Sequence, residues 1–164
     1  MSWDTRGLVR DLRSGRAQYR IFTVPNPAAG AGFSFTVDSL GWLQILAIRF
    51  ALTTDVNVAN RMPRIEYRDG DGNDLLRQTC VSPVAASLGA TISFISGYPA
   101  FSAPTPTAHI APLVDWPLMV GWSVFCNLTN GQVGDQISAI RVTAIDWATL
   151  TGDQAALATQ MEDL

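Results

Sequence analysis

Residues 42–54, WLQILAIRFALTT, constrain the fold more than any other part of the sequence. Large apolar side chains dominate every second position from Trp42 to Leu52, and the alternate positions are smaller and partly polar. A period of two places the large side chains on one face of an extended strand. A helix is the competing interpretation, but the run has a β-branched end and no polar stripe at helical spacing. The pattern therefore predicts a long central strand.

Turns rich in Gly, Pro, Asn and Asp separate about eight strand-like segments, and no strand–helix alternation is evident. The predicted strands cover residues 17–24, 32–37, 42–54, 63–68, 75 onward, 89–97, 121–129 and 136–147. Residues 99–117 hold five prolines and are predicted to be a long loop, partly in polyproline conformation. The predicted fold class is all-β, an antiparallel two-sheet β-sandwich of jelly-roll type, with a small closed barrel as second choice.

The same periodicity predicts which apolar side chains fill the space between the two sheets. In the central strand and the strand at 121–129, the side chains expected to be buried are Trp42, Leu46, Ile48, Phe50, Trp122, Val124 and Leu128. Cys80 and Cys126 lie in apolar strand contexts and are expected to be buried free thiols. Their separation of 46 residues fits no zinc motif.

Three segments are distinguished along the 164 residues: an N-terminal arm at 1–16, a β-sandwich domain at 17–148 and a C-terminal helical tail at 149–164. The tail is Ala-rich, and Asp153 is a plausible N-cap for a short C-terminal helix. The arm has no apolar signal-peptide core, so no export is expected. No window approaches the roughly 18 apolar residues of a membrane span.

Charge is divided unevenly along the chain. All eleven basic residues are Arg, and a GC-rich coding genome is the simplest explanation for the absence of Lys. Residues 1–20 hold five Arg and two Asp, a net charge of +3, whereas residues 21–164 carry a net charge of −6. Such an arm either docks on an acidic partner or sister subunit, or is a solvated terminal segment.

Residues that could carry chemistry are few. Asp69-Gly-Asp-Gly-Asn-Asp has oxygen ligands at positions one, three and five of a calcium loop, but lacks the glycine at six and the glutamate at twelve. A plain hairpin turn is therefore expected there. His109, the only histidine, is expected to be polar surface of a loop. The spacing of the scattered carboxylates singles out no catalytic pair.

Three aromatic residues near the proline-rich segment have two interpretations. Tyr98, Phe101 and Trp116 could stack on sugars, or they could be core edges or subunit contacts. No catalytic, cofactor-binding or metal-binding residue is predicted, and no cofactor is expected. The acidic body argues against general nucleic-acid binding.

Two segments of the chain carry a family resemblance. GWLQILAIRFALTTDVNVANRMPRIEYRDGDGN, residues 41–73, resembles a Trp-led strand, a Val-Ala-Asn-Arg segment and an Asp-Gly-rich hairpin found in small β-sandwich structural proteins of tailed bacteriophages. Residues 134–142, GDQISAIRV, are similar to the closing strand of those proteins. The resemblance spans roughly residues 17–147 and leaves the two termini outside.

The resemblance implies a non-enzymatic virion component, first a capsid decoration or cement protein that binds and stabilises the assembled particle. A neck or tail accessory protein and a carbohydrate-binding β-sandwich module are the alternatives, and a glycan hydrolase of sandwich fold is a weaker one. The implied location is the virion, assembled in the host cytoplasm.

The predicted partners are virion proteins such as the major capsid protein, which the resemblance implies, and other copies of the chain, with a trimer first, which the opposite charges of the two ends favour. No nucleic acid or membrane partner is expected. The predicted partner-binding residues combine apolar anchors with basic side chains of the arm. They are Trp3, Arg6, Leu8, Arg10, Leu12 and Arg13.

Overall fold

The computed structural model describes residues 17–38 and 41–147. Regular structure in these residues consists of β-strands, and they contain no helix. In chain order, the strands are β1 (Ala17–Thr23), β2 (Phe33–Thr36), β3 (Trp42–Thr53), β4 (Met62–Arg68), β5 (Asp74–Thr79), β6 (Gly89–Ser96), β7 (Ser102–Thr105), β8 (Ala108–Leu113), β9 (Pro117–Met119), β10 (Ser123–Thr129) and β11 (Gln136–Trp147). Each segment predicted to be a strand overlaps one of them.

The strands form two sheets that pack face to face. The larger sheet has the order β1-β11-β3-β6-β8-β7, with β9 also paired to β3, and the smaller has the order β2-β10-β4-β5. The prediction of an all-β, two-sheet sandwich is confirmed. The prediction of wholly antiparallel sheets is wrong, because β6 and β8 pair in parallel. The jelly-roll assignment stays a prediction.

Strand β3 is central, as predicted, but its alternation of faces breaks at Leu46. Thr143 and Ala144 of β11 pair with Ala47 and Ile45, so Leu46 is an extra residue in a bulge. A bulge inserts one residue and shifts every side chain beyond it to the opposite face. The bulge lies where β3 changes its second neighbour, from β9 before it to β6 after it.

The bulge explains why part of the predicted core is wrong. Before it the odd-numbered Leu43 and Ile45 are buried, and after it the even-numbered Ile48, Phe50 and Leu52 are buried. Leu46 is only half-buried. Trp42 is also half-buried and stacks on Trp147, with ring centroids 4.8 Å apart.

Aromatic contacts join the two sheets across the core. Phe50 of β3 meets Phe33 of β2 edge to face at 5.6 Å between ring centroids, a favourable aromatic geometry. Val124 is buried as predicted, whereas Trp122 and Leu128 are half-buried at the margin of the core. The remaining completely buried apolar side chains include Leu52, Ile65, Ile92, Leu118 and Ile137.

Cys80 and Cys126 are free and buried, as predicted. Burial raises the pKa of both thiols, so their reactive thiolate forms are disfavoured.

The predicted long loop at residues 99–117 is wrong, because β7, β8 and the start of β9 lie in it. Strand β7 is at the sheet edge, where a proline costs few ladder hydrogen bonds. Its register with β8 shifts between Ser102 and Thr105, around Pro104. The prediction of a surface His109 is also wrong. This residue lies in β8 opposite Ile92 and is buried.

Candidate interaction surface

The partner-binding residues predicted in the N-terminal arm all lie outside the described residues. They are Trp3, Arg6, Leu8, Arg10, Leu12 and Arg13. The C-terminal helix predicted from Asp153 onward lies outside the described residues as well. The surfaces considered below therefore belong to the sandwich itself.

Four loops gather at one end of the sandwich, here named the loop end: residues 24–32, 54–61, 80–88 and 130–135. Backbone hydrogen bonds tie them together. The Gly30 N–H donates to the Asp135 carbonyl at 2.7 Å, and the Ser87 N–H donates to the Asp55 carbonyl at 2.8 Å. The Asn130 side-chain amide donates to the Asn60 carbonyl at 3.2 Å. The loops therefore form one connected surface rather than four independent tips.

A buried ion-pair network lies beneath the loop end. The fully buried Arg61 guanidinium donates through Nε to both carboxylate oxygens of Asp135, at 3.0 and 3.2 Å. Its Nη2 donates to Asp55, and its Nη1 donates to the Ala59 carbonyl at 3.1 Å. A buried charge is tolerated only when it is paired and hydrogen-bonded in this way.

The Asp135 carboxylate connects its own loop, residues 130–135, with the loop at residues 54–61. Besides Arg61, it accepts hydrogen bonds from the backbone N–H of Gln132 at 2.7 Å and of Asp55 at 2.9 Å. Burial alone would raise the pKa of this carboxyl. The hydrogen bonds from Arg61, Gln132 and Asp55 and the Arg61 charge outweigh burial, so the pKa is below its ordinary value of 3.8.

The close packing around the network requires a glycine at position 134. A Cβ atom on Gly134 would lie 2.8 Å from the Cβ of Asp55. A contact that short would push Asp55 away from Arg61 or displace the turn at residues 130–135. The loop end is thus held in one arrangement by both polar and steric constraints.

The surface above the network is rich in exposed valines and carries no charge outside the network, and its exposed polar side chains, such as Asn57, Asn60 and Asn130, are uncharged. Within the four loops, the only charged side chains are Asp55, Arg61 and Asp135, all of which belong to the network. Four valines on three of the loops are strongly exposed: Val56, Val58, Val81 and Val133, from 69% to 97%. Exposed apolar side chains are typical of interaction sites on soluble proteins where they form a contiguous patch.

The outer face of the smaller sheet has a different character. The Glu66 carboxylate is almost completely buried under Arg64, Arg68 and Arg77, with ion-pair distances of 2.8–3.0 Å. Arg68 also lies over the Phe125 ring at 4.0 Å from its centroid. Asp74 pairs with Arg68 and Arg77 as well, so three guanidinium groups share two carboxylates in one ion-pair cluster.

The segment that begins at Asp69 forms the turn of the β4–β5 hairpin, as expected. The Asp69 carboxylate accepts from the Asp71 N–H at 3.0 Å, the Asn73 N–H at 2.8 Å and the Asn73 side-chain amide at 2.9 Å. These hydrogen bonds, led by the side-chain amide, lower the pKa of Asp69. Gly72 has a φ of 85°, a conformation that glycine adopts readily.

The three aromatic residues that could stack on sugars differ in their solvent exposure. Phe101 packs half-buried against the core near His109, Tyr98 is half-buried, and Trp116 is 41% exposed. Among residues 17–38 and 41–147, no group of three or more potential metal-ligating side chains occurs. In the same residues, no helix has the length and apolarity needed to span a membrane.

Sequence reasoning missed the network, although it considered two of its members. Asp55 and Asp135 appeared only as scattered carboxylates, and they are 80 residues apart. One signal was present: Asp55, Arg61 and Asp135 all lie in the two segments that carry the phage resemblance. Their meeting point depends on the pairing of β3 with β11, which single-sequence patterns do not specify.

Comparisons with known proteins give limited likenesses. No known family model matches the chain, and no curated protein matches it. Among solved structures, the chain is similar to one of the Gx strain of infectious bursal disease virus, at 14% identity over 83% of this chain with a TM-score of 0.41.

Two further structures concern the same virus. A VP2 subviral particle has 15% identity over 79% of this chain with a TM-score of 0.41. A viral particle crystal structure has 11% identity over 81% of this chain with a TM-score of 0.44. The chain spans about a third of the length of these matched chains, 32–34%. TM-scores of this size do not establish a shared fold.

Proposed function

We propose that this protein is a non-enzymatic structural component of a tailed-phage virion, acting as a capsid decoration or cement protein that stabilises the assembled particle. One observation carries the proposal: an uncharged, valine-rich surface is mounted on the buried network of Asp55, Arg61 and Asp135. The three network residues lie in the segments that resemble small virion proteins of tailed phages. The resembling residues therefore support a binding surface instead of a catalytic one.

The loop end has the properties of an assembly contact. Interface centres are depleted in charge and enriched in apolar side chains, as the loop end is. A surface held in one arrangement before binding loses little conformational entropy when it docks. We place the contact with the major capsid protein, or with another virion protein of the same shell, at the loop end.

The N-terminal arm makes the second contact in this proposal. The chain works as a homo-oligomer, with a trimer as first choice, and the arm of one subunit lies on the acidic surface of a neighbour. Trp3, Leu8 and Leu12 supply the apolar anchors. Arg6, Arg10 and Arg13 set orientation and register more than they add affinity.

Copy number in purified particles tests the location. Quantitative mass spectrometry of dissociated virions from the source phage should find hundreds of copies per particle, because decoration repeats over the whole symmetric shell. A copy number of about a dozen or fewer, enough for a single ring of subunits, would instead indicate a neck or tail accessory protein. Absence from particles would contradict a virion role altogether.

Val58→Lys should weaken loading onto particles while leaving the fold intact. Val58 is 97% exposed, so the change costs little stability, but it places a charge on the otherwise uncharged surface of the loop end. Burying an unpaired charge in an interface is costly, and at least a tenfold loss of affinity is expected. Binding of purified protein to undecorated particles measures it.

The matched control is Val120→Lys, at the opposite end of the sandwich. Val120 is 60% exposed and precedes β10, whereas the loop end follows β10. This variant should load as the unmodified protein does. Equal loading of Val58→Lys and unmodified protein, with both correctly folded, would remove the loop end from the proposal.

Removal of residues 1–15 should weaken incorporation into particles and leave the sandwich folded. Replacing Arg6, Arg10 and Arg13 by Glu should weaken it too, and increasingly so at low salt, where repulsion from an acidic surface is least screened. Copy number per particle at two ionic strengths measures both effects. Full incorporation of the truncated protein would show that the arm is a solvated tail.

A further inference from the structure

Two arginines on the outer face of the larger sheet differ from the other described arginines. Arg20, Arg61, Arg64, Arg68 and Arg77 each form ion pairs with carboxylates. In the described part of the chain, Arg49 and Arg141 form none. They are direct partners in the β3–β11 register, and both are exposed. Like charges placed directly opposite in a sheet destabilise it, and a bound anion would relieve the repulsion of this pair.

The arginine pair borders an open concavity of about 670 Å³. A second bulge creates it: two β11 residues, Ala139 and Ile140, face one residue of β3. Ala139 adopts a φ of 51°, in the left-handed region that non-glycine residues rarely occupy, and its N–H donates to the Asn26 side chain. Strained backbone of this kind is concentrated at binding sites.

The side chains around this concavity suit an anion. Hydroxyls of Thr91 and Ser138 and the guanidinium groups of Arg49 and Arg141 line it, and no carboxylate does. Guanidinium forks bind carboxylates through paired hydrogen bonds. Within the described strands of the larger sheet the only carboxylate is Asp146, which pairs with Arg20.

We propose that this arginine groove binds the acidic segment of the same chain, residues 153–163, folded back over the outer face of the larger sheet. The sequence after Arg141 contains the acids Asp146, Asp153, Glu162 and Asp163 and no basic residue. The segment that precedes β1, residues 1–16, holds four Arg and two Asp, a net charge of +2, and would be repelled by the same pair of arginines. Charge therefore selects one terminal segment and rejects the other.

The distances permit this contact within one subunit. Arg141 precedes the last described residue, Trp147, by six residues, about 20 Å along an extended strand. Seventeen residues follow Trp147 in the sequence, so a chain that uses a few of them for a turn still has the length to carry its acidic residues back to the level of the groove. Binding within one chain also benefits from a high effective concentration, which compensates for weak individual ion pairs.

A spin label on the full-length protein tests the contact. Cys80 and Cys126 are buried, so an Ala156→Cys variant carries the label at position 156 alone once the folded protein has been modified. The amide NMR signals of Ala51, Thr91 and Ser138 should lose most of their intensity, compared with the same sample after the spin label has been chemically reduced. The intensity should return in about 1 M salt, where the Debye length falls to about 3 Å.

Two variants and one mixture decide the outcome. Arg49→Gln combined with Arg141→Gln should restore the signals, whereas Arg77→Gln, which removes an exposed guanidinium from the other sheet, should not. Broadening that persists without Arg49 and Arg141, or no broadening at all, would overturn the proposal. The last test mixes isotope-labelled protein that lacks the spin label with spin-labelled protein that lacks the isotope. Broadening in this mixture would also overturn the proposal, because the acidic segment would then come from a second molecule.

Discussion

Arg61→Ala is expected to destabilise the protein by about 3–5 kcal/mol, because it leaves the buried Asp135 carboxylate without its cation. Asp135 has no exposed surface through which water could replace the guanidinium. The loss removes hydrogen bonds to Asp55 and Ala59 at the same time, so the loop end loses its support. Urea denaturation followed by tryptophan fluorescence gives the free energy of unfolding.

Arg77→Ala is the matched control for loss of an arginine. Arg77 is half exposed and shares Glu66 with two other arginines, so its removal should cost less than about 1 kcal/mol. Replacing both charges, with Arg61→Met and Asp135→Asn together, should cost less than Arg61→Ala alone, since the side-chain amide oxygen still accepts a backbone hydrogen bond and the only charge left unpaired is the partly exposed Asp55. A cost for Arg61→Ala as small as that for Arg77→Ala would contradict a buried network.

The pH dependence of stability follows from the same network. The pKa of Asp135 is lower in the folded protein than its ordinary value of 3.8, so the unfolded chain binds this proton more readily. Its stabilising contribution is complete above the unfolded pKa and is lost as pH falls through the folded pKa. Unfolding free energy should therefore drop below about pH 4, with a smaller drop in Asp135→Asn.

Much of the fold could be predicted from the sequence, because period-two patterns and turn residues are local signals. The long strands β3 and β11 and the hairpin around Asp69 all appear where these signals place them. The prediction of a loop in the proline-rich segment was wrong for a physical reason. Proline content indicates a loss of hydrogen-bond donors, and an edge strand such as β7 tolerates that loss.

Bulges and long-range ion pairs could not be predicted in the same way. The bulge at Leu46 follows from the exchange of β9 for β6 beside β3, which is a property of the sheet and not of the local sequence. The network joins Arg61 to Asp135 across 74 residues. The loop end could not be predicted either. Its four loops are far apart in sequence, so their shared lack of charge is recognised only when the fold shows that they meet.

The bulge at Leu46 predicts how three substitutions in β3 rank by their loss in free energy of unfolding. Phe50→Ala should cost about 3–5 kcal/mol and Ile45→Ala about 2–5 kcal/mol, because each opens a cavity in the buried core. Phe50 also loses its edge-to-face contact with Phe33 on the opposite sheet. Leu46→Ala should cost only about 1–2 kcal/mol, since the Leu46 side chain is half-buried.

The comparison of Ile45 with Leu46 is the sensitive one, because the two side chains are alike in size and adjacent in sequence. Unbroken alternation from Trp42 to Phe50 would bury Leu46 and expose Ile45, which reverses the ranking. Denaturant unfolding of both variants, with equal m-values, measures the difference directly. A larger loss for Leu46→Ala than for Ile45→Ala would show that β3 runs without the bulge and that Trp42, rather than Leu43, faces the core.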